Sequence, residues 1–244
     1  GGDIVDIIVR QPETARFVSR HLYNFFVADE VPVPSWQDVP PRDPGAIDLL
    51  SESFISSGYD IRSTLRTLFN SDFFKDQKVW YGKVKSPVEL VVSTMRLVAD
   101  YQHPKPGICA LGQIPGYMGQ DILDPPSVEG WHTGQEWINT GSLVQRVNFV
   151  ADKVSDTSLS GIQSIIDRLS LMEPMSSTEF LTQCLDSVGV VQIFKETQEE
   201  IIAELGGQEA EVRCGTSKQE RADFTQNVVK VLQLIASTRE YQFA

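Results

Sequence analysis

Residues 86–100 read SPVELVVSTMRLVAD, and this stretch decides the class of fold. Ser86 is placed to cap a helix, Pro87 to occupy its first turn, and Glu89 to reach back from the third position and close a capping box. The apolar run VVSTM follows directly. The same grammar recurs downstream. Ser176 and Glu179 open SSTEFLTQCLDSVG, and Ser217 with Glu220 opens SKQERADFTQNVVKVLQLIASTREYQF, where Phe224, Val228, Val231, Leu232 and Ile235 form a wide apolar face. Helical periodicity dominates, and no segment alternates cleanly enough to read as a strand.

Toward the N-terminus, Asp3 to Val9 reads as the end of a short helix, and Pro12 opens a second, PETARFVSRHLYNFFVAD. Its expected inward stripe is Ala15, Val18, Leu22 and Phe25 with Phe26 beside it, and Arg16 and Arg20 occupy another face. Five prolines between Pro32 and Pro44 stiffen the next loop. A helix through AIDLLSESFISSG stops at Gly58. Asp60 caps DIRSTLRTLFNSDFF, whose Ile61, Leu65, Leu68 and Phe69 are expected to face inward. Toward the C-terminus the pattern weakens between Tyr101 and Gly141, where prolines and glycines leave room for one short helix near Leu111 to Met118. Helices resume at SLVQRVNFVADKV, SGIQSIIDRL and VQIFKETQEEIIAEL. The prediction is an all-α fold: an irregular multi-helix globular bundle of about nine or ten helices, with a long Gly/Pro/Trp-containing loop region. One domain over residues 1–244 is expected, its weakest seam near 156–160.

A chain of 244 residues with 41% hydrophobic content can bury a substantial core. Its net charge of -12, without a basic stripe interleaved with aromatics, argues against nucleic-acid binding. No apolar run is long enough to span a membrane. The start GGDIVDIIVRQPETARF is already helix-like, as expected of a fragment whose true N-terminus carried targeting information. Cys109, Cys184 and Cys214 match no metal or redox spacing; Cys184 lies in a core pattern, and Cys109 and Cys214 stand near turns where they could pair.

The stretch DPPSVEGWHTGQEWINTG, Asp124 to Gly141, concentrates the candidate chemistry. Trp131 and Trp137 suit either a stacking platform for a sugar ring or peptide, or two plugs that anchor irregular backbone. Glu129 and Asn139 join them as candidate ligand-binding residues. His132 is a candidate base, but His21 and His103 lie in other segments, and the carboxylates Glu129, Glu136, Asp121 and Asp124 converge on no recognisable spacing. No metal site and no cofactor are therefore expected. Arg96 and Arg146 serve either as an anion clamp at this loop or as pins for its carbonyls. His21, with Phe17 and Phe25 four positions away on either side, reads as a packed residue. GYMGQ lacks the lysine of a phosphate loop, and no GxSxG elbow exists.

Five pieces fall in an order that resembles one family: HLYNFFVAD (21–29), SGYDIRSTLRTLFNSDFF (57–74), VKSPVELVVSTMR (84–96), LGQ with PPSVEGWHTGQEWINTGSLVQR ending at Arg146, and the closing ASTREYQF. The chain resembles the C-terminal half of the bacterial family of unknown function DUF1800. Where that family usually reads W, P, G, G, this sequence has Trp131, His132, Thr133 and Gly134, a less tightly constrained turn. The resemblance implies a missing N-terminal half carrying histidine- and asparagine-rich motifs, a periplasmic, secreted or cell-envelope location, and a sulfatase-like exported protein as partner. The function expected on these grounds is a non-enzymatic helical scaffold or binding module in an exported or envelope-associated assembly. The alternative is a hydrolase or polysaccharide-degradation accessory enzyme completed by the missing half, to which Trp131, His132 and Arg146 would contribute.

Overall fold

The computed structural model describes residues 1–172, 174–190 and 192–243. The fold is an irregular all-helical bundle. Its helices are α1 (Gly2–Val9), α2 (Pro12–Phe26), α3 (Pro44–Ser56), α4 (Ile61–Asn70), α5 (Asp72–Lys75), α6 (Pro87–Leu97), α7 (Ile108–Tyr117), α8 (Thr140–Ser155), α9 (Ser160–Ser170), α10 (Ser177–Val188), α11 (Lys195–Glu204), α12 (Lys218–Ser237) and α13 (Arg239–Gln242). One two-residue ladder is added to these, β1 (Met175–Ser176) antiparallel to β2 (Glu211–Val212). Val191, which opens the expected VQIFKETQEEIIAEL helix, lies outside the described residues.

Among the described residues the helices outnumber the nine or ten expected, and two hydroxyls explain part of the difference. Ser71 and Thr238 each turn the backbone to ψ 154° and cap a new short helix, accepting from Phe74 N–H and Tyr241 N–H. The expected continuous helices over 60–74 and 217–243 are thereby cut in two. The capping boxes at Ser86, Ser176 and Ser217 form as read, and Asp60 accepts from Ser63 N–H.

The helices group into two compact units. The first contains Gly1–Val84 with Thr133–Glu136. α2 packs on α3, and Tyr23, Val27, Ala46, Ile47, Leu50 and Leu68 form its core. Each fully buried aliphatic there contributes about 1.5–3 kcal/mol. The buried stripe of α2 is Ala15, Ser19, Arg20 and Tyr23, so the expected inward Phe25 is wrong: it is 70% exposed. Ile61 and Phe69 are likewise exposed, whereas Thr64 and Leu68 are buried. The exposed rings of Phe25 and Phe69 each meet Phe26 edge to face, and Phe69 also meets Phe74; Phe26 and Phe74 are half-buried against this core. Arg20, expected on a polar face, is buried in an ion pair with Glu30 at 2.7 Å and donates to the carbonyls of Val39 and Pro40.

The second unit contains Lys85–His132 and Trp137–Phe243. The 20-residue α12 packs on α8 and α10, burying Phe224, Val228, Val231, Leu232 and Ile235. α9 meets α6 at Gly161, whose N–H donates to Val98 C=O at 3.0 Å. A methyl group at Gly161 would stand 2.2 Å from Leu97 O, so only glycine admits this approach. Residues 156–160, the expected seam, lie inside this unit.

Candidate functional site

The loop from Asp121 to Trp131, in the second unit, is tied at its base. Trp131 donates its indole N–H to Asp121 C=O at 2.9 Å, and an isolated antiparallel bridge joins Ser127 and Gly130 within it. Gly130 has φ 99°, a conformation that suits glycine, whereas Leu123 is a leucine held at φ 65°. Inside this closed frame Ile122, Leu123 and Val128 point outward; Leu123 is 89% exposed and Val128 fully so. Trp131 is half-buried, and Glu129 and His132 are exposed.

Trp137 has a different fate. It is buried, and its carbonyl accepts the Ser142 hydroxyl at 2.8 Å. Asn139, expected at a ligand, is the N-cap of α8: its side chain accepts from Ser142 N–H, and Ser142 Oγ accepts from Asn139 N–H. In the first unit, the turn glycine Gly134 has φ 61°, and a side chain there would press on the carboxylate of Asp29 at 3.2 Å. That carboxylate is occupied in accepting from Val84 N–H and Lys83 Nζ.

Arg96 is exposed and Arg146 is fully buried, so the two do not form a clamp. Arg146 donates Nε to Gln242 Oε1 at 2.9 Å and Nη2 to Lys85 C=O at 2.7 Å; its Nη1 is buried with no partner among the described residues. Lys85 N–H donates to Gln242 C=O, and Lys85 Nζ donates to Tyr241 C=O while lying over the Tyr241 ring. Gln242 Nε2 closes the network on Ala236 C=O. Nearby in sequence, Glu240 is also buried; one oxygen accepts from Phe194 N–H and the other has no partner among the described residues. Sequence reading singled out Arg146 but missed Lys85, Glu240 and Gln242.

The stretches that meet here are VKSPVEL, SLVQR and REYQF, three pieces of the ordered set that carried the family resemblance. A family model described as protein of unknown function (DUF1800) matches residues 1–243. The chain belongs to the DUF1800 family. No curated protein and no solved structure matches it. In this DUF1800 chain the signal that could have found Lys85 and Gln242 was therefore their shared membership in those motifs, not any local spacing.

Burial pushes the Lys85 amine down to about 8, aided by the Arg146 charge and opposed by Glu89; burial likewise lowers Arg146 to about 10. Between about pH 8 and 10.5 the unfolded chain retains a proton on Lys85 that the folded chain has released, so the contribution of Lys85 to stability rises with pH across that window. Below pH 8 both states are protonated and the full cost of the buried charge remains. With part of the side chain still hydrated, a gain of roughly 2 kcal/mol is expected from pH 7.5 to 10.5. The buried Cys184 thiol, raised to about 12, acts in the opposite sense above pH 9, so urea denaturation should show the gain as the difference between the native sequence and Lys85→Met; parallel pH dependence in both would refute the assignment.

Elsewhere the site residues disperse. His21 lies between the rings of Phe17 and Trp36, at 4.5 and 4.6 Å, with its pKa lowered by burial. Its second ring partner is Trp36, not the Phe25 read from helical spacing. The three cysteines are free thiols, and burial raises that of Cys184 to about 12. Among the described residues, no three His, Cys, Asp or Glu side chains cluster to hold a metal ion, and no helix is long and apolar enough to cross a membrane.

Proposed function

We propose that this chain is a non-enzymatic binding module, a helical scaffold that presents the Asp121–Trp131 loop to a protein partner. The observation that carries the reading is the loop tied at its base by Trp131 while Leu123 and Val128 stand in solvent. Exposed apolar side chains on a constrained loop mark contact surfaces more than catalytic ones. Of the candidate residues, Arg146 binds Gln242 and a backbone carbonyl, Trp137 is buried and Asn139 caps α8, while His132 is exposed at the foot of the loop. On the family resemblance, the chain is the C-terminal half of a longer protein in an exported or envelope-associated assembly, with the other half or a sulfatase-like protein as its partner.

The test is a photo-cross-linking residue placed at Leu123 in the full-length gene product, expressed in its own host. Capture of one discrete protein, or of the N-terminal half, is the expected result, and the same residue at exposed Arg66 should not give it. Hydrolytic turnover by the purified full-length protein, lost in a folded His132→Gln variant, would overturn the binding reading in favour of the enzyme.

A further inference from the structure

An open groove of about 630 Å³ lies in the second unit between the end of α8 and the face of α12, away from the Trp131 loop. Arg221, Thr225, Val229 and Gln233 recur every four residues along one side of α12, with Gln226 and Lys230 beside them. Ser155 and Thr157 form the facing wall. From Arg221 to Gln233 the helix rises about 18 Å, the length of five or six residues of extended peptide.

The lining specifies the ligand. Among the described residues no carboxylate and no aromatic ring lines the groove, although the chain as a whole carries a charge of -12. Lys230 is paired with Glu204 at 2.7 Å. The carboxylates nearest in sequence are engaged as well: Glu220 accepts from Ser217 N–H, Asp223 from Gln219 and Asp156 from Ser158. Arg221 is exposed and forms no ion pair among the described residues. Among the described residues the exposed Gln226 amide has no hydrogen bond, and that of Gln233 donates only a long one, 3.4 Å, to Ala151 C=O. Side-chain amides spaced along a groove match the alternating N–H and C=O of an extended backbone, and a guanidinium at one end suits a carboxylate. With no flat aromatic face, a sugar ring has nothing to stack on.

We infer that the α8–α12 groove binds an extended peptide segment, with an acidic side chain of that segment held by Arg221. This rests on the binding-module reading but uses a surface separate from the Trp131 loop, so either can fail alone.

The experiment is an NMR titration of the ¹⁵N-labelled full chain with an unstructured heptapeptide of serine and alanine carrying one glutamate near its end. Saturable shifts of the Gln226 and Gln233 side-chain amides are expected, with binding about tenfold weaker for the glutamine counterpart peptide and for Arg221→Ala. Arg221 is exposed, so the variant's remaining spectrum should superpose on the native one. Equal shifts with both peptides, shifts centred on other residues, or tighter binding of trigalacturonate than of the acidic peptide would each overturn the inference. A null at Leu123 in the cross-linking experiment with a positive titration would remove the loop and leave the groove.

Discussion

Arg146→Ala is expected to destabilise the second unit by about 3–4 kcal/mol. The substitution leaves Gln242 Oε1 and Lys85 C=O without their donor, and each buried acceptor so orphaned costs about 1–3 kcal/mol. A cavity the size of the lost side chain adds to that. Against these stands relief from burying a guanidinium whose Nη1 has no partner among the described residues, which keeps the net below the sum. For a unit of this size the melting temperature should fall by about 10 °C. Urea denaturation should show a lower midpoint with an unchanged slope. Arg146→Lys should recover only part of the loss, because an ammonium cannot reproduce the fork that reaches both acceptors at once. Native-like stability in the alanine variant would mean that this network does not hold the C-terminal segment in place.

Gly161→Ala is the second large effect, about 3 kcal/mol or more. In most helices this exchange stabilises by up to about 1 kcal/mol. Here the new methyl would meet Leu97 O at 2.2 Å and Val98 C at 2.5 Å, both backbone atoms that cannot rotate away. α9 would have to lift off α6, stretching the Gly161 N–H to Val98 C=O bond and loosening the packing of buried Ile162 and Ile165. Gly112→Ala in α7 is the matched control: open space surrounds that position, and the same change should be neutral or slightly stabilising. If both variants melt together at the native temperature, the close crossing of α6 and α9 is not as described.

These two positions also mark where sequence reading stops. Helix starts were legible because capping is local chemistry: a serine and a glutamate three residues apart satisfy each other's backbone whatever the fold, as Ser86, Ser176 and Ser217 do. Asn139 escaped because its reciprocal partner is Ser142, outside the usual glutamate signature, so a cap was read as a ligand residue. Periodicity identified α2 and α4 as helices but drew Phe25, Ile61 and Phe69 onto their inward faces. Ala15 and Leu68 are buried as read, but the core also takes Ser19, Arg20, Tyr23 and Thr64, and Phe25 and Phe69 are left exposed against the half-buried Phe26. Arg146 could be recognised as a pin, but its acceptors lie 61 and 96 residues away, and no spacing rule reaches that far. The loop stood out for its tryptophans; which ring would be buried and which would close the loop was decided by tertiary packing.

The Trp131 tie has a thermodynamic consequence. A loop closed at its base has its shape set during folding, so little conformational entropy remains to be lost when another surface meets it. On the binding reading, calorimetry of that encounter should show a heat-capacity decrease proportional to the small apolar area of Ile122, Leu123 and Val128. It should lack the large opposed enthalpy and entropy of a segment that folds as it docks.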